Sequence, residues 1–153
     1  MKLKKKKNKF PSIELELSLF DSGYDIVIGI DEAGRGSWAG PMAIGAYIML
    51  KNNLEVITQV KDSKLLSESQ REKIFEQLNK DLYHFVLIPS RVIDEIGLTA
   101  SFKKGLSSLL DPLIKKYDKK KLKVLVDGNY NLELDHDISS IIDGDMMHYS
   151  ISL

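Results

Sequence analysis

The tightest constraint on this chain is a five-residue apolar run, Ile26-Val27-Ile28-Gly29-Ile30, that ends directly on Asp31-Glu32-Ala33-Gly34-Arg35-Gly36. The run reads as a buried strand, and two glycines within three residues force the turn that stops it. Ala43 to Leu50 reads as a second strand. Val56 to Val60 reads as a third, after an Asn52-Asn53 turn. The short links predict antiparallel hairpins. Ser67-Glu68-Ser69-Gln70 is a capping box that opens a helix to about Lys80, with Ile74, Phe75 and Leu78 on its buried face. Phe85 to Ile88 is a fourth strand, ended by Pro89, and a short helix follows near Val92, Ile93 and Ile96. Phe102, Leu106, Leu109 and Leu113 share one face of a longer helix beginning after Thr99, which Pro112 ends early or kinks. Leu122 to Val126 is a fifth strand, stopped by Asp127-Gly128-Asn129, and Ile138 to Ile142 a last short one. This order predicts an α/β fold, a mixed sheet with helices packed on it.

A length of 153 residues suits one domain with a tail. The absence of cysteine excludes disulfides, thiolate metal sites and a Cys nucleophile. The longest apolar runs are far too short to span a bilayer, and the basic N-terminus lacks the apolar core of a secretory signal. A cytoplasmic domain with no membrane partner is therefore expected. Six of the 22 basic residues fall within residues 1–9, which leaves 16 basic against 22 acidic residues, a net of −6 on the rest. Residues 1–24 are read as a basic, flexible tail and approach segment, and 25–153 as the folded domain. Such tails are solvated, and some attract polyanions.

Asp31 and Glu32 come straight off the first strand, and Asp127 ends another. Carboxylates in such places are costly to bury unless a cation or hydrogen-bond donors compensate them. If the two strands are neighbours, all three acids converge at one sheet edge and suit a hard cation such as Mg2+ or Mn2+. Gly34 and Gly36 let backbone amides approach a ligand, and Arg35 offers a planar fork for phosphate. The glycine spacing does not fit a dinucleotide fingerprint, and no P-loop lysine follows. Ser63 and Lys64, ahead of the capped helix, suit an anion site or an ordinary polar loop equally well. Asp143-Gly144-Asp145 is read as a surface turn, and Trp38 and Tyr130 as core or rim packing rather than base-stacking platforms. His84 is read as structural, and His136 and His148 have no assigned role.

Ile28 to Gly36 followed by Ala39-Gly40-Pro41 resembles the first signature of bacterial ribonuclease HII. Asp62 to Ser67, Ile93 to Ile96 with Leu98 to Ala100, Val124 to Asn129, and Ile142 to Asp145 are similar to later motifs of that family, in the family's order. The resemblance implies a ribonuclease H-like mixed five-stranded sheet flanked by helices, its first three strands antiparallel. It implies cleavage of the RNA strand of RNA–DNA hybrids and nicking of duplex DNA 5′ of an embedded ribonucleotide, by a monomer. Carried over, Asp31, Glu32 and Asp127 are metal-binding catalytic carboxylates. Gly34, Arg35 and Gly36 contact the ribose 2′-hydroxyl and backbone, and Ser63 and Lys64 lie along the phosphate path. Two divalent ions about 4 Å apart, Mg2+ or Mn2+, would activate water and stabilise the leaving oxygen. The family's fourth carboxylate and a junction tyrosine are expected beyond Leu153, with neither Asp143 nor Asp145 as that acid. On this reading the domain is C-terminally truncated, its activity reduced or absent. The alternative is a non-catalytic hybrid-binding remnant or inactive gene fragment.

Overall fold

The computed structural model describes residues 11–37, 39–52, 54, 60, 65–117, 121–130 and 137–153. Five strands form one mixed sheet in the order β3-β2-β1-β4-β5. They are β1 (Ile26–Ala33), β2 (Met42–Leu50), β3 (Tyr83–Ile88), β4 (Leu122–Asp127) and β5 (Ile138–Ile141). The first three are antiparallel neighbours, while β4 runs parallel to β1 and β5 parallel to β4. The helices are α1 (Glu14–Asp21), α2 (Glu68–Phe75), α3 (Ser90–Ile96), α4 (Leu98–Lys116), α5 (Gly144–Met147) and α6 (Tyr149–Ser152).

The central strand β1 is buried on both faces from Ile26 to Ile30, as a strand covered by helices must be. It does not stop at Ile30. The pairing with β2 continues through Asp31↔Gly45 and Glu32↔Ile44 to Ala33↔Ala43, so both acids lie within the strand and the turn starts at Gly34.

One side of the sheet is covered by α4. Its predicted stripe of Phe102, Leu106, Leu109 and Leu113 is buried, and the helix runs past Pro112 to Lys116. Gly105 brings the helix close: a Cβ there would stand 2.4 Å from Ile88 Cδ1. The other side receives α6. A Cβ on Gly29 would stand 2.1 Å from the Ser150 carbonyl oxygen, so only glycine lets this helix seat on β1. The capping box is present, Ser67 Oγ accepting from Gln70 N and Gln70 Oε1 from Ser67 N. However, α2 ends at Phe75, and Phe75 is exposed rather than buried. The expected strand at Val56 to Val60 lies outside the described residues apart from Val60, which is buried outside any strand. Residues 14–21, read as approach segment, form α1, with Phe20 and Glu16 buried.

Candidate metal centre

Register places the acids. Ile30 pairs with Val126 across the parallel β1–β4 ladder, so Asp31 and Asp127 leave neighbouring strands at the same level. Side chains alternate along a strand, so Asp31 shares the face of Gly29, on which α6 sits, while Glu32 turns to the other. A third acid arrives from the end of β5. There Asp143 adopts a left-handed φ of 58°, and the Gly144 amide donates to Asp127 Oδ1 at 2.7 Å. The resulting short helix α5 carries Asp145 inward, where it is 7% exposed. Oxygens of Asp31, Asp127 and Asp145 all lie within 4.8 Å of one another.

This corrects two expectations. Asp145 does not belong to a surface turn, and the chain does carry an acid in addition to Asp31, Glu32 and Asp127 at this place. The signal was available: Gly144-Asp145 follows the apolar end of a strand, as Asp31 and Asp127 do. What hid it is the intervening turn, which looks like solvent-facing polarity in sequence.

Glu32 stands outside that trio. Its Oε1 accepts from Tyr130 Oη at 3.3 Å and from Arg35 Nη1 at 3.4 Å, while Oε2 is buried without a hydrogen-bond partner. Arg35 rises from the glycine turn, and its Nη1 donates to Tyr130 Oη at 2.5 Å. Gly34 has φ 87°, and a Cβ there would stand 2.7 Å from the Pro41 carbonyl oxygen, so the turn requires glycine. Gly36 lies in the same exposed turn. Ser63, Lys64 and Trp38 lie outside the described residues.

The donor set fits a divalent cation. Hard cations take carboxylate oxygens, and three converge here. Their crowding shows in Asp31. Burial pushes its carboxyl up to about 7; the Glu32 amide donating to Oδ1 at 2.7 Å opposes this, and the charges of Asp127, Glu32 and Asp145 add to it. A group so raised holds a proton until a cation or a higher pH removes it. Tyr130 is pushed up to about 12, by burial first and then by Glu32.

The family model for ribonuclease HII matches residues 28–153. The ribonuclease HII of Caldicellulosiruptor bescii is 36% identical over 154 residues, covering 99% of this chain and 70% of that protein. That of Rickettsia africae is 38% identical over 148 residues, covering 92% of this chain and 70% of the relative. Among solved structures, ribonuclease H2 from Pyrococcus horikoshii superposes with a TM-score of 0.61 at 29% identity, over 83% of this chain and 67% of that one. Bst-RNase HIII in complex with Mn2+ gives a TM-score of 0.64 at 17% identity, over 89% of this chain and 51% of that one, a likeness of fold.

Proposed function

This chain belongs to the ribonuclease HII family, and from that premise we propose that it cuts the RNA strand of RNA–DNA hybrids and nicks duplex DNA 5′ of an embedded ribonucleotide. The products would carry 5′-phosphate and 3′-hydroxyl ends. The observation that carries the reading is the convergence of Asp31, Asp127 and Asp145 at adjacent strand ends, beside the Gly34-Arg35-Gly36 turn.

Asp31, Asp127 and Asp145 would hold Mg2+ or Mn2+, with Glu32 offering Oε2 from the side. Divalent ions at such a site supply the positive charge against which water attacks a phosphodiester and the 3′-oxygen departs. The protein's own part is to bind and orient. Arg35 presents its guanidinium to the backbone of the strand being cut. The amides of the Gly34–Gly36 turn lie open to a ribose, whose 2′-hydroxyl is what separates RNA from DNA. Ser63 and Lys64 would line the path of a neighbouring phosphate. The working unit is proposed to be a cytoplasmic monomer acting through residues 25–153.

The reduced activity expected from the sequence rested on an absent acid. Asp145, which joins the cluster, offers a further carboxylate for a divalent ion. The test is a duplex holding one ribonucleotide, incubated with Mg2+ or Mn2+ and, separately, with a chelator. Metal-dependent nicking on the 5′ side of the ribonucleotide is the expected result. Tight hybrid binding without a nick under any metal would replace this reading with the non-catalytic one.

A further inference from the structure

The endonuclease reading gives parts to the acids and to Arg35 but leaves Tyr130 without one. Three observations single it out. First, its ring is wedged in place. It stacks on Phe102 of α4 with centroids 4.3 Å apart and planes 11° from parallel, and Phe102 is itself buried in the core. On the same loop Gly128 has φ 104°, and a Cβ there would stand 2.7 Å from Tyr130 Cε2, so the turn is built tightly against the ring. Second, the hydroxyl of this fixed ring meets two site residues at once, accepting from Arg35 Nη1 and donating to Glu32 Oε1. Third, Arg35 also lies over the ring, its Cζ 5.3 Å from the centroid.

We propose that Tyr130 is a positioning residue that transmits the rigidity of the α4 core to Glu32 and Arg35. Arg35 sits on a glycine turn with a half-exposed side chain, and a long side chain on such a turn samples many rotamers unless something fixes it. Tyr130 fixes it from two directions, by hydrogen bond and by ring face. By engaging Oε1 of Glu32, Tyr130 also settles which carboxylate oxygen stays free, and that oxygen is the buried, unpartnered Oε2. Outer partners of this kind set the orientation of metal-binding carboxylates.

This assignment rests on the endonuclease reading, and the experiment separates the two. Tyr130→Phe keeps the stack on Phe102 and removes only the hydroxyl. The measurements are the melting midpoint, Mn2+ affinity by calorimetry, kcat and KM on a duplex with one ribonucleotide, and proton exchange of the Arg35 guanidinium in metal-free protein. The expected result is an unchanged midpoint, Mn2+ binding weakened about tenfold, a raised KM with kcat at saturation little changed, and faster Arg35 exchange. A purely structural tyrosine would instead lower the midpoint and leave Mn2+ affinity, KM and exchange alone, and that result overturns the proposal. If the unsubstituted chain neither binds Mn2+ nor nicks, the endonuclease reading fails by itself. Arg35 exchange then still decides for Tyr130, with equal rates in the two proteins counting against it.

Discussion

Asp31 concentrates the cost of the site in one carboxyl. It ionises near 3.8 when unhindered and at about 7 in the fold, where burial is the first cause and the neighbouring acids add to it. Between those values the metal-free folded protein holds a proton that the unfolded chain has lost. Folding therefore grows less favourable as pH rises through that window, and the cost is complete above it. Asp31→Asn removes the titration. Without metal its melting midpoint should exceed that of the unsubstituted chain at about pH 8, by on the order of 10 °C, and match it below pH 3.8. Added Mg2+ should raise the midpoint of the unsubstituted chain alone. Equal midpoints at the higher pH would show that Asp31 bears no such penalty. Asp145→Asn tests the acid that the sequence concealed. Outer-shell partners of metal ligands cost about 10–100-fold when removed, so a direct ligand should cost at least about tenfold in Mg2+ affinity. A binding isotherm unchanged by Asp145→Asn would remove this residue from the site. Asp31, Glu32 and Asp127 are legible because each ends an apolar run. Asp145 is harder to read, because a turn separates it from its apolar run; β5 lying beside β4 and the Gly144 amide reaching Asp127 are what bring it in.

Most elements carry their evidence locally, and α1 does not. Ile13, Leu15, Leu17 and Leu19 alternate with polar residues, a pattern that fits a short strand or a loose helix, and long-range contacts decide for the helix over residues 14–21. Ser12 N donates to the Met147 carbonyl oxygen at 2.9 Å, and its own carbonyl accepts from Tyr149 N at 3.1 Å. Glu16, fully buried, accepts from Ser150 N through Oε1 at 2.8 Å. This segment thus straps down α5 and α6, the elements that carry and follow Asp145. Glu16→Ala would leave a buried amide without an acceptor and should destabilise by about 1–3 kcal/mol. Hydrogen exchange should quicken at the amides of 149–151 while those of β1 and β4 stay slow. Uniform protection in the variant would mean that α6 is held by its packing on Gly29 alone. The predicted β1 boundary at Ile30 is short for a related reason. Glycine and charge end a strand by local rules, but the partner β2 keeps pairing through Ala33.

At the scale of the molecule the fold sets a problem in charge. Beyond residue 9 the chain carries a net of −6, and its site is a cluster of acids, yet the substrate proposed for it is a polyanion. Two sources of attraction are available. Cations held at the cluster would act at short range, because salt at physiological strength screens exposed charge beyond about 8 Å. The six lysines of residues 1–9 can act independently of the site, by displacing counterions from phosphates. The two contributions are separable because only the second scales with the number of lysines removed. Deleting residues 1–9 should weaken hybrid binding most at low salt. It should also flatten the plot of log affinity against log salt by up to about 5, near 0.9 for each lysine that meets a phosphate. The rate at saturating substrate should not change, since none of the deleted residues belongs to the acid cluster or the glycine turn. A deletion that leaves the salt slope as it was would mean that the lysines displace no counterions and that the rest of the chain binds its substrate unaided.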